Sequence, residues 1–234
     1  PMGATFGWKP FDQYITDQAV NEAGDTIEYT FGNFTVPANS VTCFGLSGES
    51  VSLTVTDATD GVVYSETVSL IDTSLIVDGY TYCFEPTRVR SEAVFASIPP
   101  YTSAEFDLIL TDTSNDPKVG QIVLGQEYDV GITQYGTSFS IEDYSIKDRD
   151  QFGNAFIVER PFAKLVDFDF VLPTERARRA AILLETVRAT PAVYFAGADT
   201  DQYGTTVYGY FRNWRITLSG PNISNATLEV EGLT

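Results

Sequence analysis

From Ser50 to Thr56 the chain alternates without a break, with Val51, Leu53 and Val55 apolar and Ser52, Thr54 and Thr56 polar. A period of two is the mark of a strand with one buried face. Asp57-Ala58-Thr59-Asp60-Gly61 then reads as a turn, and Val62 to Leu70 as the returning strand. Phe106, Leu108 and Leu110 repeat the period, and Tyr80-Thr81-Tyr82-Cys83-Phe84 is another β-prone run. Glu85-Pro86 and Pro99-Pro100 punctuate strands rather than extend them. No helical period is visible in this half. Short strands with turn signals every 8–12 residues or so predict an antiparallel β-sandwich, here over residues 1–113.

The pattern changes beyond Thr113-Ser114-Asn115-Asp116-Pro117, the expected domain boundary. Gln121–Gly125 is a short apolar strand. Phe139, Ile141 and Tyr144–Ile146 suggest another, and Phe156–Arg160 and Val166–Phe170 add two more. One stretch has a helical period, Thr174 to Ala189. Pro173 and Thr174 sit at its start, Glu175 suits the positive end of the helix dipole, and Thr190-Pro191 stops it. Ala180, Leu183, Leu184 and Val187 fall at i, i+3, i+4 and i+7. Strands are expected again at Ala192–Ala196, Thr206–Ile216 and Thr227–Glu231. Residues 117–234 therefore read as an α+β domain with one main helix, and the chain as mainly β.

Composition narrows the chemistry. The 234 residues carry 14 Lys+Arg against 32 Asp+Glu, a net charge of −18. So acidic a surface repels phosphate backbones and anionic headgroups, so nucleic acid and membrane insertion are not expected. No apolar run approaches the 18 or so residues of a membrane helix, and the start of the sequence has no signal-peptide pattern. Histidine is absent, which removes Ser-His-Asp and Cys-His catalysis and His-ligated zinc. Cys43 and Cys83 match no Cys-x-x-Cys motif and read as two reduced core thiols, with an inter-strand disulfide as the alternative.

The remaining constellations have plain structural readings. Asp148–Gly153 and Asp199–Gly204 share the pattern Asp-x-Asp-Gln-aromatic-Gly, but lack the later ligands of a calcium loop and read as repeated turns. Asp167 and Asp169 share a strand face, as a glycosidase pair would. Phe168 and Phe170 alternate with them, which is the pattern of a half-buried strand. We expect no catalytic residues, no metal and no cofactor. Two surfaces stand out as candidate contacts. Arg176, Arg178, Arg179 and Arg188 cluster on the helix, where they form either a solvated face or a dock for an acidic neighbour. Tyr203, Tyr208, Tyr210 and Trp214 could contact a partner or stack on carbohydrate; on an unbroken strand Tyr208 and Tyr210 share a face, as do Arg212 and Trp214.

A resemblance spans most of the chain. Its pieces include Trp8-Lys9-Pro10, Phe84-Glu85-Pro86 and Ile98-Pro99-Pro100-Tyr101. Gly131-Ile132-Thr133-Gln134-Tyr135-Gly136 leads into Ile141-Glu142-Asp143-Tyr144-Ser145-Ile146-Lys147. Asp150-Gln151-Phe152-Gly153-Asn154, Val158-Glu159-Arg160, Arg188-Ala189-Thr190-Pro191-Ala192-Val193 and Leu228-Glu229-Val230-Glu231-Gly232-Leu233 complete the set. In this order they resemble a group of tailed-bacteriophage tail structural proteins. The resemblance implies a place, the tail tip or baseplate of a virion assembled in the host cytoplasm, and no chemistry. It implies as partners other copies of the chain and neighbouring hub, tube or fibre proteins, with a host-surface glycan as the alternative ligand.

Overall fold

The computed structural model describes residues 7–12, 14–32, 34–74, 76–84, 86, 88–149, 152–197 and 204–233. The chain divides into two compact units, Pro1–Glu127 and Tyr128–Thr234.

In the first unit a short 3-10 turn at Lys9–Phe11 precedes β1 (Ala19–Val20), β2 (Thr26–Phe31), β3 (Ser40–Phe44), β4 (Ser50–Asp57), β5 (Gly61–Ser69) and β6 (Ile71–Asp72). A short helix, α1 (Gly79–Phe84), follows, then β7 (Arg88–Val89), β8 (Glu92–Phe95), β9 (Glu105–Thr111), β10 (Lys118–Val119) and β11 (Gln121–Gly125). Its two larger antiparallel sheets are ordered β2-β9-β4-β5 and β11-β3-β8, beside the two-stranded pairs β1-β10 and β6-β7. The alternation read from the sequence becomes alternating burial in β4 and β9. Val51, Leu53, Val55, Phe106, Leu108 and Leu110 from one sheet pack with Val41, Cys43, Phe95 and Ile122 from the other in a single cluster. Each such side chain taken from water contributes about 1.5–3 kcal/mol. This is a β-sandwich. Gly61, at φ +76°, makes the turn between β4 and β5 that the sequence marks.

Two expectations for this half are corrected. The division falls after Glu127 and not at 113–117, because β11 pairs with β3 from Gln121↔Phe44 to Gly125↔Ser40. Val119 and Ile122 are core residues of the sandwich, so the chain cannot leave it before they are placed. The polar stretch after Thr111 is an internal turn, in which the Asp112 carboxylate accepts the backbone N–H groups of Ser114 and Asn115 at 3.0 and 2.9 Å. The second correction concerns Tyr80–Phe84, which is helical. The Asp78 carboxylate accepts the Thr81 N–H at 2.7 Å while the Thr81 hydroxyl accepts the Asp78 N–H at 3.0 Å. This reciprocal cap starts a helix despite the β-prone aromatics that follow.

The second unit contains β12 (Ile132–Thr133), β13 (Ser138–Asp143), β14 (Ile146–Arg149), β15 (Ala155–Val158) and β16 (Phe162–Pro173). A 3-10 turn at Thr174–Arg176 runs into α2 (Ala177–Val187), followed by β17 (Ala192–Tyr194), β18 (Val207–Thr217) and β19 (Ile223–Gly232). Its main antiparallel sheet is ordered β12-β16-β19-β18-β17, with β13 also paired to β16. Ala177, Ala180 and Leu184 of α2 are buried with Val166, Phe168, Phe170, Leu228 and Val230. The helix covers one face, and the opposite face carries the exposed Asp167, Thr227 and Glu229. This is the α+β layer expected, with one main helix. The helix proper begins three residues later than the sequence suggests; the Thr174 hydroxyl instead donates to the Gly220 carbonyl at 3.0 Å, tying the 3-10 turn to the loop before β19.

Candidate functional site

The uncovered face of the second unit holds a polar network around Glu231, whose side chain is only 12% exposed. Its Oε2 accepts Arg212 Nε–H and the Tyr210 hydroxyl, both at 2.6 Å, and its Oε1 accepts the Tyr144 hydroxyl at 3.3 Å. Arg212 reaches further, donating through its terminal nitrogen to Glu142 at 3.0 Å. The hydrogen bond from Arg212, then that from Tyr210, holds the Glu231 carboxyl below the usual range. Accepting by Glu231 pushes the Tyr210 phenol up in turn, and burial does the same first for Tyr144. These groups come from β13, the turn after it, β18 and β19. They lock one end of the sheet, and the carboxylate's hydrogen bonds are already taken. Gly209 pairs with Gly232 beside them, and a Cβ at Gly209 would overlap the Glu231 carbonyl, so glycine is what permits this approach of strands.

The aromatic candidates do not form one face. The register of β18 on β19 shifts between Phe211 and Asn213, leaving Arg212 as the extra residue of a bulge. Tyr208 and Tyr210 lie on the uncovered face, whereas Trp214 packs with Phe211 and Ile216 against the helix-side core. The expected pairing of Arg212 with Trp214 on one face is thereby corrected: the bulge turns Trp214 inward. Tyr203 lies outside the described residues, as does most of the Asp199–Gly204 turn.

The arginines sit as a solvated helix face would. Arg178, Arg179 and Arg188 are exposed, and Arg176, 60% exposed, lies 3.7 Å from Asp129. Asp167 is exposed and accepts the Ser138 hydroxyl at 3.4 Å. Asp169 is half-buried beneath Gly136, where a Cβ would come within 2.7 Å of its Oδ2. Gly136 adopts φ +123°, so only glycine suits that turn. The two cysteines are both free, but only Cys43 is a core thiol; Cys83 is exposed on α1, and the pairing alternative falls away. Burial pushes the Cys43 thiol up to about 12.

Between β13 and β16 the sequence marks the strand at Phe156–Arg160, but it runs Phe139 to Ile146 together as one strand, whereas the chain breaks at Tyr144-Ser145 into β13 and β14. Strands β14 and β15 pair only with each other, from Ile146↔Val158 to Arg149↔Ala155. Residues 144–149 and 152–161 thus form a two-stranded ribbon, entered from β13 at Asp143 and leading into β16 at Phe162. Every described residue of β14 and β15 is exposed, Ile157 by 70%. The legible signal is the unbroken run Phe156-Ile157-Val158, which lacks the polar alternation of a half-buried strand.

No family model matches the chain, and no match is found among curated proteins or solved structures. The geometry itself offers contact surfaces. Among the described residues no three His, Cys, Asp or Glu side chains gather as a metal site would require. No helix among them is long and apolar enough to cross a membrane. The surface is also divided in charge: residues 1–127 hold 4 basic and 18 acidic groups, residues 128–234 hold 10 and 14.

Proposed function

We propose that this chain is a non-enzymatic structural protein of a tailed-bacteriophage virion, at the tail tip or baseplate, contacting copies of itself and neighbouring hub, tube or fibre proteins. The observation that carries this reading is the exposed ribbon formed by β14 and β15. An isolated two-stranded hairpin is marginal in water, and side chains such as Phe156 and Ile157 gain their stabilisation only when a partner covers them. The division of charge supports it as well, since unlike surfaces steer register and partner choice while apolar burial supplies affinity. The sequence resemblance supplies the place. Glycan binding is supported less, because Trp214 faces the core and the Tyr210 hydroxyl is already engaged by Glu231.

The test is to purify virions, identify their proteins by mass spectrometry and locate this chain by labelling and electron microscopy. Its presence at the distal end of the tail is the expected result. Its absence from purified particles overturns the reading.

A further inference from the structure

The hairpin that carries the ribbon is interrupted at its base. The β13–β16 ladder ends at Asp143↔Phe162 and the β14–β15 ladder starts at Ile146↔Val158, so Tyr144 and Ser145 face three residues, Glu159, Arg160 and Pro161. One side has a residue more than the other, and Pro161 has no N–H to give to a ladder. The Arg160 N–H is taken by the Ser145 side chain at 3.1 Å. Beyond the break, β14 and β15 are exposed throughout, so packing does not set their direction. A mismatch at the ends of elements, with little packed beyond it, is where a chain most easily absorbs a change of direction.

Two side-chain links act at this break. Lys147 of β14 reaches back to Asp143 at 2.6 Å, but the lysine is 64% exposed and water competes with such a pair. Tyr144 reaches to the body of the sheet, where its hydroxyl donates to Glu231 Oε1 at 3.3 Å. The acceptor is held in place. Glu231 is paired with Leu165 on one side and Tyr210 on the other, and its second oxygen accepts Arg212 and Tyr210 at 2.6 Å. Arg212 also donates to Glu142 at 3.0 Å, so β13 is fixed up to the break by its ladder and by this bridge. Tyr144 is the first residue beyond that fixed part.

We infer that residues 144–145 and 159–161 form a hinge, and that the Tyr144–Glu231 hydrogen bond is the latch that sets the direction of the ribbon. With the latch closed, the ribbon keeps one bearing relative to the sheet. With it open, the ribbon turns on the mismatched segment, and neither ladder has to break nor any core residue to leave its place. Tyr144 is thus a positioning residue for whatever surface the ribbon presents. This device belongs to the second unit alone and does not depend on the tail placement proposed above.

Cys83→Ser leaves only the buried Cys43 thiol, so nitroxides can be placed on Ile157→Cys in the ribbon and Thr227→Cys on the uncovered face of β19. Pulsed electron paramagnetic resonance on the full chain, diluted with unlabelled copies, should give one narrow distance distribution. Tyr144→Phe removes a single hydroxyl; it should widen the distribution roughly twofold and leave the near-UV circular dichroism unchanged. Lys147→Ala should leave the distribution narrow. Deleting Pro161 sets two residues against two, and in that chain Tyr144→Phe should no longer widen it. A distribution already wide with Tyr144 in place overturns the inference. So does one that stays narrow in Tyr144→Phe, or that Lys147→Ala widens as much. Widening by Tyr144→Phe in the Pro161-deleted chain overturns the placement of the hinge. Absence of the chain from virions would overturn the tail placement and leave these distances as they are.

Discussion

Arg212 donates to Glu231 across β18 and β19 at 2.6 Å, from the one residue that the pairing of those strands leaves over. The carboxylate is nearly buried and its folded-state pKa lies below the ordinary glutamate value of 4.5. The unfolded chain therefore binds the proton more readily, and stability rises with pH through this window. The contribution is complete above about pH 4.5 and is lost as pH falls through the depressed folded value. Glu231→Gln should flatten the acid limb of a stability–pH curve measured by urea titration, and lower stability at neutral pH by about 1 kcal/mol. An acid limb that matches the wild type would show that other carboxylates set it.

Trp214 should behave as a core residue. Full truncation of a buried tryptophan costs about 3–5 kcal/mol, and half-buried Trp214 should fall near 2–3 kcal/mol in Trp214→Ala. Fluorescence gives an independent reading. With Trp8 replaced by Phe, emission from Trp214 should be blue-shifted and weakly quenched by iodide.

The two units have separate cores, so damage to one should be felt locally. Phe106 is fully buried in the sandwich. Phe106→Ala should remove about 3–5 kcal/mol from the first unit. In calorimetry this should appear as a lower midpoint for one transition while the other keeps its own. A uniform shift of all unfolding would show that the units melt together.

Thiol chemistry should separate the cysteines. An aromatic disulfide reagent should modify one thiol per native chain and two after denaturation, and Cys83→Ser should abolish the native reaction. Cys43 is both inaccessible and held as the neutral thiol by burial.

Where alternation and burial coincide, the fold is readable from residues alone. In β4, β9, β16 and β19 the alternating runs Val51-Leu53-Val55, Phe106-Leu108-Leu110, Val166-Phe168-Phe170 and Ala226-Leu228-Val230 face a core, because a strand with one wet side buries every second position. The exceptions have identifiable causes. A cap of two polar side chains makes α1 helical against the preference of Tyr80, Tyr82 and Phe84 for strands. The strand Gln121–Gly125 is plain in the sequence, but its partner is not, since nothing local says that Ile122 completes a core begun eighty residues earlier. The surplus residue at Arg212 has no signature, so the aromatic face expected across Tyr208–Trp214 is split between two sides of the sheet. Of the ribbon, the returning strand at Phe156–Arg160 is legible, but β14 merges with β13 in the pattern, and the exposure of both strands depends on what lies around them.

The bulge in β18 also says how this strand tolerates changes of length. Phe211 pairs with Val230 and Asn213 with Glu229, so the ladder closes over Arg212 as though it were not there. Deleting that one residue would keep Trp214 opposite Leu228 and Ile216 opposite Ala226, at the expense of the bridge to Glu231 and Glu142. Deleting one residue at 215 would instead bring Ile216 to the solvent side and Thr217 toward the core, because alternation there has no slack. A central strand ordinarily has no position that can be dropped. This one carries a spare, and the spare is also the residue that ties three strands together.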